Sequence, residues 1–184
     1  MKVQDIFKWA SASFALIPGL ITMTTSLGTP PGISKYFYGG LVEAAGAFTL
    51  LLLTFNKNSI KKLSDQRINR IAITMFVLFI LSLLTYITFF NTQVIYNEKY
   101  NTALFFPFWY GDDLSYMVSK AGSKYNSISA YGPQAVTDGI NNSHAYLEYT
   151  RIIFIVLYIL TFEFLVIGFG LLGLRSSELD LENP

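Results

Sequence analysis

Four long apolar stretches, at residues 6–27, 36–55, 70–91 and 150–174, dominate what this 184-residue chain can fold into. A helix rises 1.5 Å per residue, so stretches of about 20–25 residues reach roughly 30–38 Å, enough to cross a hydrocarbon core of ~30 Å. The expectation is an all-α integral membrane protein: four transmembrane helices and a small helical extracytoplasmic cap. Outside the spans lie a segment of 58 residues (92–149), a basic connection of 14 residues (56–69) and short tails. That is too little chain for a separate enzyme domain with its own core. The chain therefore reads as a single four-span membrane domain, 1–184, with 92–149 inserted between the third and fourth spans.

The net charge of +1 gives no bulk affinity for nucleic acid, and the distribution of charge carries more information than its sum. Lys57, Lys61, Lys62, Arg67 and Arg70 crowd the connection between the second and third spans. The first connection holds only Lys35, and the long segment only Lys99, Lys120 and Lys124. By the positive-inside rule the 56–69 connection is cytoplasmic. Both termini are then cytoplasmic too, in keeping with Lys2, Lys8 and Arg175, and the long segment faces outward. Residues 56–70 place Ile60 and Leu63 on one side of a short surface helix whose cations serve a cytoplasmic partner or anionic lipid headgroups.

Span one carries Pro18 near its centre, where the missing N–H bends a helix or calls on a neighbour, so Pro18 is a candidate hinge. The span ends in Gly28-Thr29-Pro30-Pro31-Gly32, a turn incompatible with helix. In span two Gly39, Glu43, Gly46 and Ala47 share one face, beside a second row of Gly40, Ala44 and Ala47. Small residues at this spacing let helices approach closely, and they are read as a homo-oligomer interface.

The 92–149 segment has no cysteine, hence no disulfide framework, and holds eight of the chain's 12 tyrosines. Phe105, Phe106, Phe108, Trp109 and Tyr110 form an aromatic cluster suited to anchoring at the membrane interface. Asp112 and Asp113 start one short amphipathic helix that Gly122 stops, and Gly132-Pro133 opens a second that closes near Asn142.

Two carboxylates, Glu43 and Glu163, stand inside the spans. An acidic residue at mid-span costs about 2.5–3.5 kcal/mol on insertion scales, so each is expected to face protein or water and forms a candidate intramembrane polar site. Their depths differ by ~10 Å, which argues against one shared ion site. Arg151, near Glu148 at the start of span four, has headgroup contact as its default role. With no Cys and only one His, His144, neither a Cys–His nucleophile nor a multi-His metal site can be built within the chain. No phosphate loop or dinucleotide fingerprint is present. No metal, no cofactor and no catalytic residue are expected.

The stretch Tyr38-Gly39-Gly40-Leu41-Val42-Glu43-Ala44-Ala45-Gly46 resembles the second helix of small four-span DoxX-type membrane proteins, which carry a similar Glu and Gly stripe. The resemblance covers under a tenth of the chain and implies a membrane oxidoreductase subunit. Those proteins generally lack a long segment before the last span, where this chain has 58 residues.

The leading functional expectation is a non-enzymatic sensor or adaptor of the bacterial inner membrane. It is homo-oligomeric, it has a periplasmic cap coupled to a cytoplasmic protein partner, and its plan is that of membrane components of stress or phage-defence systems. The alternative is an oligomeric ion channel with Glu43 or Glu163 facing the axis.

Overall fold

The computed structural model describes residues 3–25 and 29–179, with side chains from residue 5 to 174. Lys2, Leu27, Gly28 and the side chain of Arg175, which entered the sequence expectations, lie outside the described residues. Four helices are long and apolar enough to cross a membrane. They are α1 (Val3–Thr25), α2 (Lys35–Phe55), α4 (Asp65–Gln93) and α8 (His144–Leu179). A five-residue helix, α3 (Lys57–Lys61), occupies the basic connection. Arg67 and Arg70 fall on α4, because the third helix starts at Asp65, five residues earlier than its apolar stretch.

Much of the surface of these helices is apolar. Phe48 is 61% exposed, Ile73 62% and Leu84 57%. In water such a surface would be a liability; against lipid tails it is the ordinary state of a spanning helix. The chain is a membrane-embedded helical protein.

The described residues form two compact units. One comprises residues up to 29, 34–84 and from 157 onward; the other comprises 30–33 and 85–156. In the first unit α1 and α2 are an antiparallel pair at backbone-contact distance. α8 is the most buried of the four spans. It meets α1 through Phe14 and Phe169, stacked with centroids 5.4 Å apart, and α4 through the edge-to-face pair of Phe76 and Phe169 at 5.0 Å. Tyr38 of α2 lies 5.1 Å from Tyr158 of α8, ring to ring. Polar bonds supplement this packing where lipid offers none: Ser11 Oγ donates to the Val166 carbonyl at 2.8 Å, and Thr22 Oγ1 lies 2.8 Å from the Tyr158 hydroxyl.

The second unit departs from the all-helical expectation. It opens with an antiparallel hairpin, β1 (Val94–Asn97) and β2 (Thr102–Phe105), in the register Val94↔Phe105 to Asn97↔Thr102. A single 3-10 turn at Glu98–Tyr100 connects the strands, and Asn101 closes it with φ of 47°, the left-handed conformation that Asn tolerates better than most residues. Three helices follow rather than two: α5 (Asp112–Ala121), α6 (Lys124–Tyr131) and α7 (Pro133–Asn142). α5 ends at Gly122 with φ of 78°, and α6 begins at once because the Ser123 hydroxyl accepts from the Asn126 N–H at 3.0 Å.

The core of this unit is Phe105, Phe106, Leu114, Ile128, Val136, Ile140, Leu147 and Phe154, all buried. Side chains stand in for the missing disulfides. Ser143 Oγ accepts from the Gly111 N–H at 2.9 Å, Thr150 Oγ1 accepts from the Phe108 N–H at 2.9 Å, and Asn97 Nδ2 donates to Ser129 Oγ at 3.0 Å. Each bond ties residues at least 32 positions apart.

Candidate functional site

Glu163 occupies the most buried helix of the first unit. Its carboxylate is hydrogen-bonded to the Thr49 side chain of α2, while its Oε2 is buried and has no hydrogen-bond partner among the described residues. An unmet acceptor in a low-dielectric setting costs about 1–3 kcal/mol, so the chain tolerates a standing expense at this position. Glu43 is engaged elsewhere. Its stem packs on the backbone of Gly19, where an added Cβ would lie 2.3 Å from Glu43 Cγ. Thr49 is six residues beyond Glu43 on α2, about 9 Å along the axis. The two carboxylates therefore occupy different depths, and of the two it is Glu163 that presents a buried oxygen without a hydrogen-bond partner among the described residues.

The small residues of α2 divide by face. Gly39 and Gly46 are buried against α1: a Cβ on Gly39 would fall 2.6 Å from the Gly19 carbonyl oxygen, and one on Gly46 2.4 Å from that of Ala15. That row is consumed inside the chain and cannot serve as the subunit contact expected of it. Ala44 and Ala47 stay exposed and Gly40 half-buried, leaving the second row on the outer face. The complementary surface on α1 is Ala15 and Gly19, two small residues one turn apart. Pro18 itself is buried, and its carbonyl accepts from Thr22 Oγ1 at 2.9 Å. The helix is thus braced just beyond the position proposed as a hinge.

In the basic connection Lys57, Lys62, Arg67 and Arg70 are exposed and Lys61 is half-buried, as are Ile60 and Leu63. The aromatic cluster does not behave as one anchor. Phe105 and Phe106 are core residues of the second unit, with Phe106 fully buried; Phe108 and Tyr110 are half-buried, and only Trp109, at 54% exposure, has a ring free to meet an interface. Pairing of β2 with β1 turns Phe105 inward, and its ring meets Phe154 edge to face at 5.2 Å.

Lys124 is a residue the sequence did not single out. Its Nζ donates to the Thr92 carbonyl and to Gln93 Oε1, each at 2.7 Å, and lies 5.7 Å from the centre of the Phe106 ring and 6.0 Å from that of Tyr110. Burial pulls the ammonium down from its ordinary range to about 8. Burial also raises the Tyr110 phenol. No cluster of three or more His, Asp or Glu side chains that could hold a metal ion occurs among the described residues.

No protein-family model, no curated protein and no solved structure matches this chain. The likeness of residues 38–46 to DoxX-type proteins thus stands on those nine residues alone.

Proposed function

We propose that the chain is a non-enzymatic membrane sensor or adaptor, with the 92–149 segment as an extracytoplasmic cap and the basic connection as the contact for a cytoplasmic partner. The observation that carries this reading is the continuity of α8. Its first turns bury Leu147, Thr150 and Phe154 in the second unit, and the same helix goes on to bury Tyr158, Thr161, Leu165 and Val166 in the first. The row of Gly40, Ala44 and Ala47, left open on α2, supports a homo-oligomer seam. The charge asymmetry supports an inner-membrane protein with both termini in the cytoplasm and the cap in the periplasm.

The absence of native cysteine makes the test clean. Single cysteines at Ser119 and Lys62 are to be labelled with a membrane-impermeant thiol reagent in intact cells. The reading requires Ser119→Cys to react and Lys62→Cys to be shielded until the cells are opened. It further requires a co-purifying cytoplasmic protein that is lost when Lys61 and Lys62 are both changed to Gln. Equal labelling of the two positions sinks it.

A second reading, an oligomeric ion or proton pathway, is favoured by the buried Glu163 Oε2 that lacks a hydrogen-bond partner among the described residues. Reconstituted protein with a conductance that Glu163→Gln alters would support it, and electrical silence across a pH series would dismiss it.

A further inference from the structure

We propose that the crevice where one end each of α1, α2 and α8 meet seats a single anionic phospholipid, with its phosphate on Lys8 and an acyl chain in the apolar groove below. The crevice lies wholly within the first unit, encloses about 140 Å³, and has Lys8, Leu50, Leu53, Thr54, Gly170 and Leu174 among its walls. Lys8 is the one charged residue in that lining.

The ammonium is open to a ligand. Lys8 is exposed, and its Nζ has no hydrogen-bond or ion-pair partner among the described residues. A Cβ on Gly173 would stand 3.1 Å from Lys8 Cγ, so the first methylenes of the lysine pack against α8 where a larger residue would push them off. The two hydroxyls of the lining have spent their protons inside the chain: Ser11 Oγ donates to the Val166 carbonyl and Thr54 Oγ1 to the Leu50 carbonyl, each at 2.8 Å. The ammonium is left as the donor that can meet an anion, and it does so as a compact point charge that needs no fork.

Three helices set the depth of the crevice independently. Lys8 is two residues inside the apolar stretch that starts at residue 6, Thr54 is one residue short of the stretch end at 55, and Leu174 is the last residue of the stretch 150–174. All three therefore fall within about 3 Å of the hydrocarbon boundary, where snorkelling lysines meet headgroup phosphates. Leu50 and Gly170 stand about 6–8 Å further in, so the groove leads from the charge into the acyl layer. From this same end of α2 the basic connection departs, and its Lys57, Lys61 and Lys62 enrich anionic lipid there over zwitterionic lipid. A soluble anion would meet the charge without the groove, and a neutral lipid the groove without the charge; an anionic phospholipid uses both.

The test uses the full chain in an uncharged detergent, with native mass spectrometry as the readout and three probes: phosphatidylglycerol, phosphatidylcholine with the same acyl chains, and glycerol 3-phosphate. Phosphatidylglycerol should bind one per chain and about fivefold more tightly than phosphatidylcholine, the scale of one lysine at an anionic surface. Glycerol 3-phosphate at equal concentration should not displace it. Lys8→Gln should erase the preference and Lys8→Arg should keep it, whereas Lys35→Gln, which removes the same charge at the opposite end of α2, should leave it unchanged. Thr54→Phe fills the groove without touching the ammonium and should weaken binding of both lipids severalfold while preserving the wild-type unfolding temperature within a few degrees. Equal affinity of the wild-type chain for the two lipids, a Lys35→Gln effect as large as that of Lys8→Gln, unaltered binding in Thr54→Phe, or displacement by glycerol 3-phosphate would each overturn the assignment. So would a preference that emerges only after Glu178, Asp180 and Glu182 are changed to Gln, because the ammonium would then belong to the acidic end of the chain itself.

Discussion

Gly46 of α2 lies directly against Ala15 of α1: a Cβ placed on the glycine would stand 2.4 Å from the Ala15 carbonyl oxygen and 2.8 Å from its Cα. Backbone, unlike the tip of a flexible side chain, cannot turn aside, so the two helices touch here with nothing between them. Gly46→Ala should therefore push the pair apart and destabilise the protein by about 1–3 kcal/mol, the usual range for overpacking. Gly40→Ala is the control, since its Cβ would meet only Met23 Cε at 3.8 Å. Thermal unfolding in detergent should show a lowered midpoint for the first variant and an unchanged one for the second.

The bond between Thr22 and Tyr158 joins α1 to α8 one turn beyond Pro18. Thr22 commits its own proton to the Pro18 carbonyl, so the Tyr158 hydroxyl is the donor across the helices. A double-mutant cycle with Thr22→Val and Tyr158→Phe should give a coupling of about 0.5–1 kcal/mol, the scale of interhelical hydrogen bonds in membranes. Strictly additive effects would show that the contact contributes nothing beyond proximity.

Removing Thr49 deprives the Glu163 carboxylate of its side-chain donor. Thr49→Val should destabilise the bundle by about 1–3 kcal/mol, because a buried acceptor is left unmet while its partner is gone. Combining it with Glu163→Leu should recover most of the loss, as replacing both polar partners by apolar groups is close to neutral. A double variant less stable than Thr49→Val alone would mean that the carboxylate has an essential contact beyond Thr49.

The spans were legible because a bilayer imposes its own length: 20 or more consecutive apolar residues leave a chain few alternatives to crossing. What touches what was less so. The stripe of Gly39 and Gly46 announced close packing, yet composition alone could not say whether the facing surface belonged to a second copy or to α1, and Ala15 and Gly19 supply it from within. The hairpin at 94–105 was hidden for another reason. Its strands are four residues each, their burial does not alternate, and strand propensity depends on what the pleat is laid against. Phe105 and Phe106 looked like interface aromatics for the same cause: a ring in sequence carries no sign of whether lipid or Phe154 will cover it. The setting of Lys124 depends on Thr92 and Gln93, 32 and 31 positions away, which no local pattern reports.

The ammonium of Lys124 should titrate near pH 8, well below an ordinary lysine near 10.5, because burial penalises its charge more than its two acceptors and ring contacts favour it. The sign for stability follows from proton counting. Between about pH 8 and pH 10.5 the unfolded chain still holds this proton while the folded chain has released it, so raising the pH through that window stabilises the fold at this site; below pH 8 both states are protonated and the slope vanishes. Because Tyr110 and other groups also titrate at alkaline pH, the quantity to compare is the stability difference between the wild-type chain and Lys124→Gln. That difference should shift in favour of the wild type across the window and stay flat below it. Reductive ¹³C-methylation offers a direct reading, since one lysine resonance should move with a midpoint near 8 and disappear in the variant. A midpoint at the ordinary lysine value would mean that water reaches the ammonium between Phe106 and Tyr110, and that the amine does not bridge α6 to the end of α4 as a desolvated group.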